Sequence, residues 1–231
     1  MELASAIASD ISGICGDVFS VQIVPPGLIH FELTHSTLAT WLQSLVEGSG
    51  KWGDEGDKGT RRQGDKGTRG ITKANAQCPV PNLFSVQYAH ARCCSLVLLA
   101  HRDGLIKLRE PVPNTSPAFW SVISPNPLPW LNGDGTLRLN HPDERRLISE
   151  LIQVVDNIEC PDVKGSVKWE KVALSLSEAF EKFWCNCRIW GEVKITSLEL
   201  AQARLGLLMA TQSVLRFMLE ENLGVFAPLE L

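Results

Sequence analysis

Val86-Gln87-Tyr88-Ala89-His90-Ala91-Arg92 stands inside an apolar-periodic run over residues 83–101, and its spacing decides how the rest of the chain is read. Val86, Ala89 and Leu96 recur at three-to-four-residue intervals, the period that carries one side of an α-helix into a core. Tyr88 and Arg92, four residues apart, then share another side. Such a helix needs neighbours for its apolar side and offers the aromatic, cationic side to solvent or to a ligand.

Downstream the same period returns three times. Pro142 suits a first helical turn, Asp143 and Glu144 favour its positive end, and Leu147, Ile148, Leu151, Ile152 and Val155 form an apolar face that predicts a helix ending near Ile158. A second helix is predicted over about 167–190, with Trp169, Val172, Leu176, Phe180, Phe183, Cys187 and Trp190 as a wide aromatic stripe. A third is predicted to start at Thr196, whose hydroxyl would form a capping box with Glu199, to carry Leu198, Ala201, Leu205, Leu208, Leu215 and Leu219, and to stop at Gly224. With the helix over 83–101 these give a mainly α fold, an antiparallel helical bundle.

Upstream, residues 1–47 read as a small α/β unit. Leu3, Ile7 and Ile11 suit a short helix, Phe19 to Val24 and Leu28 to Leu33 alternate with period two around a Pro25-Pro26-Gly27 turn, and a closing helix is expected from Ser36 to Val46. Residues 48–82 are different material. Gly56-Asp57-Lys58-Gly59-Thr60-Arg61 is repeated at 64–69, a Gly-rich and charged composition that reads as a flexible linker, with Arg61, Arg62 and Arg69 available to phosphates. Gly48-Ser49-Gly50-Lys51 is not a phosphate loop, because Leu45 stands where the first Gly belongs and Trp52 where Ser or Thr should hold magnesium. A Pro-rich excursion over 110–136 carries Trp120 and Trp130, which either stack bases or pin the loop to its own domain. The expected domains are therefore 1–47, the linker 48–82, and the bundle 83–231 with its insertion at 110–136.

At 231 residues and 44% apolar composition the chain can bury a sizeable core, and it has no apolar run long enough for a bilayer. The first twelve residues carry Glu2 and Asp10 without Lys or Arg, unlike a secretory signal, so a cytoplasmic location and no membrane partner are expected. Seven cysteines (Cys15, Cys78, Cys93, Cys94, Cys160, Cys185, Cys187) with no Cys-x-x-Cys read as free thiols rather than a disulfide framework or zinc ribbon. No metal and no cofactor are expected. An unrelated enzyme is disfavoured, since there is no Ser-His-Asp order with supporting glycine turns and the carboxylates are scattered. Net charge is -4, and residues 141–231 hold 10 Lys and Arg against 14 Asp and Glu, so any contact with RNA must come from a local cluster.

Several of these strings resemble arginyl-tRNA synthetases. Val86 to Arg92 resembles the segment joining that family's catalytic domain to its anticodon-binding domain. His141-Pro142-x-Glu144-x-x-Leu147-Ile148, Phe183-Trp184-x-Asn186-Cys187-Arg188, Ala203-Arg204-Leu205 with Ala210-Thr211, and Gly224 to Pro228 resemble successive parts of its DALR anticodon-binding domain. Pro26-Gly27-Leu28-Ile29-His30-Phe31 is similar to the Pro-Gly-Phe-Ile-Asn segment of the family's N-terminal additional domain, which touches the tRNA elbow. Three positions depart: Leu198-Glu199-Leu200-Ala201 replaces the tetrapeptide that names the domain, Leu231 replaces a terminal Met, and Trp184 replaces a Tyr. Neither the His-x-Gly-His signature nor the Lys-Met-Ser-Lys-Ser loop of the catalytic domain occurs in the chain. The linker occupies the place of that domain.

The resemblance implies a non-catalytic, synthetase-like protein that binds tRNA, arginine tRNA among the candidates, or another structured RNA. Stacking on aromatic and guanidinium planes and hydrogen bonding to base edges point to Gln87, Tyr88, His90, Arg92, Trp184, Arg188 and Arg204, and the family's ending adds Leu231. Structural roles stand beside these: Tyr88 and Trp184 as core, His90 in a local hydrogen bond, Arg204 paired with Glu199 or Glu220. Two other functions remain open. One is a protein-interaction module that has lost RNA binding, with a full-length synthetase or another protein as partner; the other is a contribution to arginyl-tRNA aminoacylation.

Overall fold

The structure, a computed structural model, describes residues 2–48, 83–109, 120–160 and 167–231. Most of the expected linker, with Arg61, Arg62 and Arg69, and the first part of the Pro-rich excursion lie outside the described residues.

α1 (Glu2–Cys15) leads into the antiparallel hairpin of β1 (Phe19–Val24) and β2 (Leu28–Leu33), whose register sets Val24 against Leu28 and Phe19 against Leu33. α2 (His35–Glu47) begins at Thr34, whose hydroxyl accepts from the Thr37 amide at 3.3 Å, and ends at Gly48 in the left-handed region (φ 66°). The stripe expected on α1 is rotated from the one Leu3, Ile7 and Ile11 predict. Ala8 is the buried side chain, while Leu3 and Ile7 are exposed.

The bundle follows: α3 (Phe84–Arg102), α4 (Pro142–Glu159), α5 (Trp169–Asn186), the short α6 (Glu192–Thr196) and α7 (Leu198–Phe217). α7 is its axis and packs against α2, α3, α4, α5 and α6. That position explains why it is apolar on nearly every side, with Ala201, Leu205, Leu208, Ala210 and Leu215 all buried. α2 adds Leu42, Leu45 and Val46 to the same core cluster that holds Phe180 and Phe183. Each of these phenylalanines is fully buried, a contribution of about 3 kcal/mol apiece. None of the helices is long and apolar enough to cross a membrane among the described residues.

Several sequence expectations are corrected. The helix over 167–190 stops at Asn186, and Gly191 (φ 79°) turns the chain into the unforeseen α6. Thr196 and Glu199 make no capping box: the Thr196 hydroxyl donates to the Glu192 carbonyl at 2.9 Å, and Glu199 pairs with Arg138 at 2.7 Å. The capping box instead opens α4, where His141 Nδ1 accepts from the Asp143 amide and Glu144 Oε2 accepts from the His141 amide at 2.8 Å. Before α4, β3 (Lys107–Leu108) and β4 (Val122–Ser124) pair, and Trp130 pins the described part of the Pro-rich excursion to the bundle. The Trp130 indole donates to Gln43 Oε1 at 2.8 Å, and its ring lies against Gly206 of α7, where a Cβ would come within 2.5 Å of it.

Candidate nucleic-acid interface

α3 presents two sides with different work. On the solvent side stand Phe84, Tyr88 and Arg92, spaced by four, so one exposed stripe runs along two turns of helix. Phe84 and Tyr88 are 49% and 44% exposed and stack on each other, ring centroids 6.3 Å apart at 24°. One turn on, the Arg92 guanidinium lies 5.2 Å from the centroid of the Trp184 ring on α5. Trp184 meets Trp190 edge to face at 6.0 Å, and the Trp190 indole donates to Asp103 Oδ2 at 3.0 Å, with Lys194 beside the same carboxylate at 3.6 Å. The wall holding Arg92 is thus braced from the end of α3 and from α6. A guanidinium over an indole keeps its N–H edge free for phosphate while its face is occupied.

The buried side of α3 holds the last residues of the chain. Gln87 Nε2 donates to the Phe226 carbonyl at 2.9 Å. His90 is fully buried, bonded through Nδ1 to the Pro228 carbonyl at 2.8 Å and through Nε2 to Gln212 Nε2 at 3.0 Å. A carbonyl can only accept, so Nδ1 carries the proton and Nε2 accepts from the Gln212 amide. Burial lowers the His90 pKa to about 4, against the opposing pull of the Pro228 carbonyl, and the ring stays neutral near neutral pH. This clasp leaves Phe226 and Leu231 exposed at 60% and 57%. Gln87 Oε1 is buried and has no partner among the described residues.

Arg204 does not take either partner weighed from the sequence. Its Nε donates to Glu144 Oε1 at 2.6 Å and its Nη1 to the Arg188 carbonyl at 2.7 Å, while Glu220 pairs with Arg216. Glu144 is almost completely buried, so one carboxylate caps α4 with one oxygen and fixes α7 with the other. Arg188 projects into solvent from the turn that Arg204 secures. Burial pushes the Cys94 thiol up to about 12, which makes it a poor nucleophile at neutral pH. No group of three or more His, Cys, Asp or Glu among the described residues is placed to hold a metal ion.

Of the eight residues singled out from sequence, Tyr88, Arg92, Arg188 and Leu231 are exposed and Trp184 is half-buried against Arg92. Gln87, His90 and Arg204 face inward and hold other parts in place. Phe84 and Phe226 were missed. Phe84 carried a readable signal in its four-residue spacing from Tyr88, whereas nothing local marks Phe226.

The DALR anticodon binding domain model matches residues 86–231. Among similar proteins is the arginine–tRNA ligase of Synechococcus sp. (strain JA-3-3Ab), 32% identical over 144 residues, covering 62% of this chain and 21% of that protein. The arginine–tRNA ligase of Salinibacter ruber is 30% identical over 148 residues, 63% of this chain and 21% of its own length. The chloroplastic/mitochondrial arginine–tRNA ligase of Arabidopsis thaliana is 30% identical over 131 residues, 56% of this chain and 16% of its own length. The chain thus spans about a fifth of these relatives. No solved structure matches it significantly. With a helical bundle in place and the match running from the α3 stripe to the last residue, the chain belongs to the DALR anticodon-binding domain family.

Proposed function

We propose that this chain holds tRNA, or an RNA folded like it, and does not itself activate an amino acid. The observation that carries the reading is the exposed line of Phe84, Tyr88 and Arg92 on α3, with Trp184 behind Arg92. Single-stranded loop bases stack on aromatic and guanidinium planes, and the backbone beside them needs a cation within reach. Arg92 and Arg188 meet the phosphates, Tyr88 and Phe84 take a base, and Leu231 closes the site from the chain end. Gln87 and His90 act by positioning that end, and Arg204 by positioning Arg188. The similarity to arginine–tRNA ligases favours arginine tRNA as the RNA.

The test is a salt titration of binding to an arginine-tRNA transcript. Arg92→Ala and Arg188→Ala should each weaken binding and shallow the slope of log affinity against log salt by about one. An unchanged slope in both variants would sink the reading. A second reading, a bundle that binds protein through this face, is favoured by the 14 acidic against 10 basic residues of 141–231. Absence of RNA binding at low salt would select it.

A further inference from the structure

The α1 and hairpin surface has a chemistry of its own. α1 turns one side inward, with Ala8 buried and Ala4, Ile11 and Cys15 half-buried. On the neighbouring side, at four- and seven-residue spacing, Leu3, Ile7 and Ile14 stand 75%, 41% and 83% exposed. The hairpin adds Val24 and Leu28, cross-strand partners beside its turn that are 42% and 66% exposed. Single exposed apolar residues are ordinary, but an apolar stripe on a helix together with an apolar hairpin tip marks a contact surface.

Charge decides what that surface fits. Residues 2–33, which form α1 and the hairpin, contain Glu2, Asp10, Asp17 and Glu32 and not one Lys or Arg. Such a surface repels nucleic acid and an anionic bilayer, since both are bound through basic side chains. A second copy would bring the same carboxylates face to face, a juxtaposition that disfavours pairing. We propose that α1 and the β1–β2 hairpin form a docking surface for a different protein, one whose contact face is apolar and rimmed by Lys and Arg. The bundle then faces RNA while this unit faces a protein, and the two contacts are separable.

The probe is a labelled amphipathic helical peptide of Leu and Lys, titrated with the full chain, with a matched peptide of Leu and Glu as control. Saturable binding of the Lys peptide alone is expected, weakening with salt. The double variant Leu3→Glu with Ile14→Glu should lower that affinity at least about tenfold. It adds negative charge, so loose electrostatic adsorption would strengthen instead, and the weakening isolates apolar docking. Both side chains are exposed, so circular dichroism and the urea transition should hold; Leu3→Ser with Ile14→Ser repeats the test without added charge. Equal affinity of wild type and variants, or no saturable binding, overturns the proposal. So does a dimer in sedimentation that the variants dissolve, which assigns the face to a second copy, or vesicle adsorption lost in the variants, which assigns it to a bilayer. The RNA titration should be the same for wild type and both variants, and its loss in them would also overturn the proposal.

Discussion

The bundle and the α1–hairpin unit handle apolar surface in opposite ways. In the bundle, α7 is enclosed by five helices, and its polar neighbours are tied up: Glu144 serves a helix cap and Arg204 at once, and His90 is bonded on both ring nitrogens. In the other unit, one helix lies beside a two-stranded hairpin and leaves Leu3, Ile14 and Leu28 mostly in water. The difference is one of layers. A helix surrounded on all sides can bury every face, whereas a helix beside one small sheet buries only the strip that touches it. Dense packing gives the bundle rigid, pre-positioned groups on its surface, and thin packing leaves the other unit with unspent apolar area. A rigid aromatic and cationic stripe suits RNA; an open, acidic, apolar stripe suits protein.

The sharpest way to break this contrast is at Glu144. Glu144→Ala removes the α4 cap and strands the Arg204 guanidinium at once, and a loss of about 3–5 kcal/mol in urea unfolding is expected. A loss below about 1 kcal/mol would mean that the buried pair is not holding the bundle together.

The His90 clasp comes next and is read by pH. Its folded pKa of about 4 lies below the ordinary 6.5, so between those values the unfolded chain binds the extra proton. Stability from this group is therefore complete above about pH 6.5 and is lost as pH falls towards 4, by up to about 3 kcal/mol. Compared with His90→Asn, which does not titrate there, wild type should lose its advantage over that window. A constant difference between the two from pH 7 to 4.5 would contradict the buried neutral ring.

Smallest is a paired glycine test across the two regions. Gly206→Ala drives a Cβ to within 2.5 Å of the Trp130 ring and 2.7 Å of Leu128, and overpacking of that kind costs about 1–3 kcal/mol. Gly13→Ala on α1 meets nothing within 4 Å and should instead stabilise its helix by about 0.5–1 kcal/mol, seen as a higher melting temperature of the helical signal. Changes of the same sign at both positions would mean that the two regions are not packed differently after all.

How much of this was legible beforehand differs by element. The helix at 83–101, the helix ending near Ile158 and the hairpin around Pro25-Pro26-Gly27 were readable because hydrophobic period and turn chemistry are local. The capping box forms on a different helix from the one local spacing predicts: Thr196 and Glu199 have the right spacing, but Arg138 draws Glu199 away and the Thr196 hydroxyl is satisfied within α6. On α1 the helical period holds and the face is rotated: Ala8 is buried with Ala4, Ile11 and Cys15 half-buried, while Leu3 and Ile7 are exposed, because the side that packs is set by neighbours that local spacing does not specify.

For the candidate interface, the residue types and their helix were written in the order of amino acids, which is why Tyr88 and Arg92 could be named at once. Which of their neighbours face outward was not. Gln87 and His90 lie on the same helix as Tyr88 and Arg92, yet they meet carbonyls 139 and 138 residues away, and Arg204 meets a carboxylate 60 residues away. Periodicity along a chain determines that a helix has sides and what each side is made of. Only the folded arrangement decides which side the end of the chain will cover, because a polar group's partner is set by distance in space and not by separation in sequence.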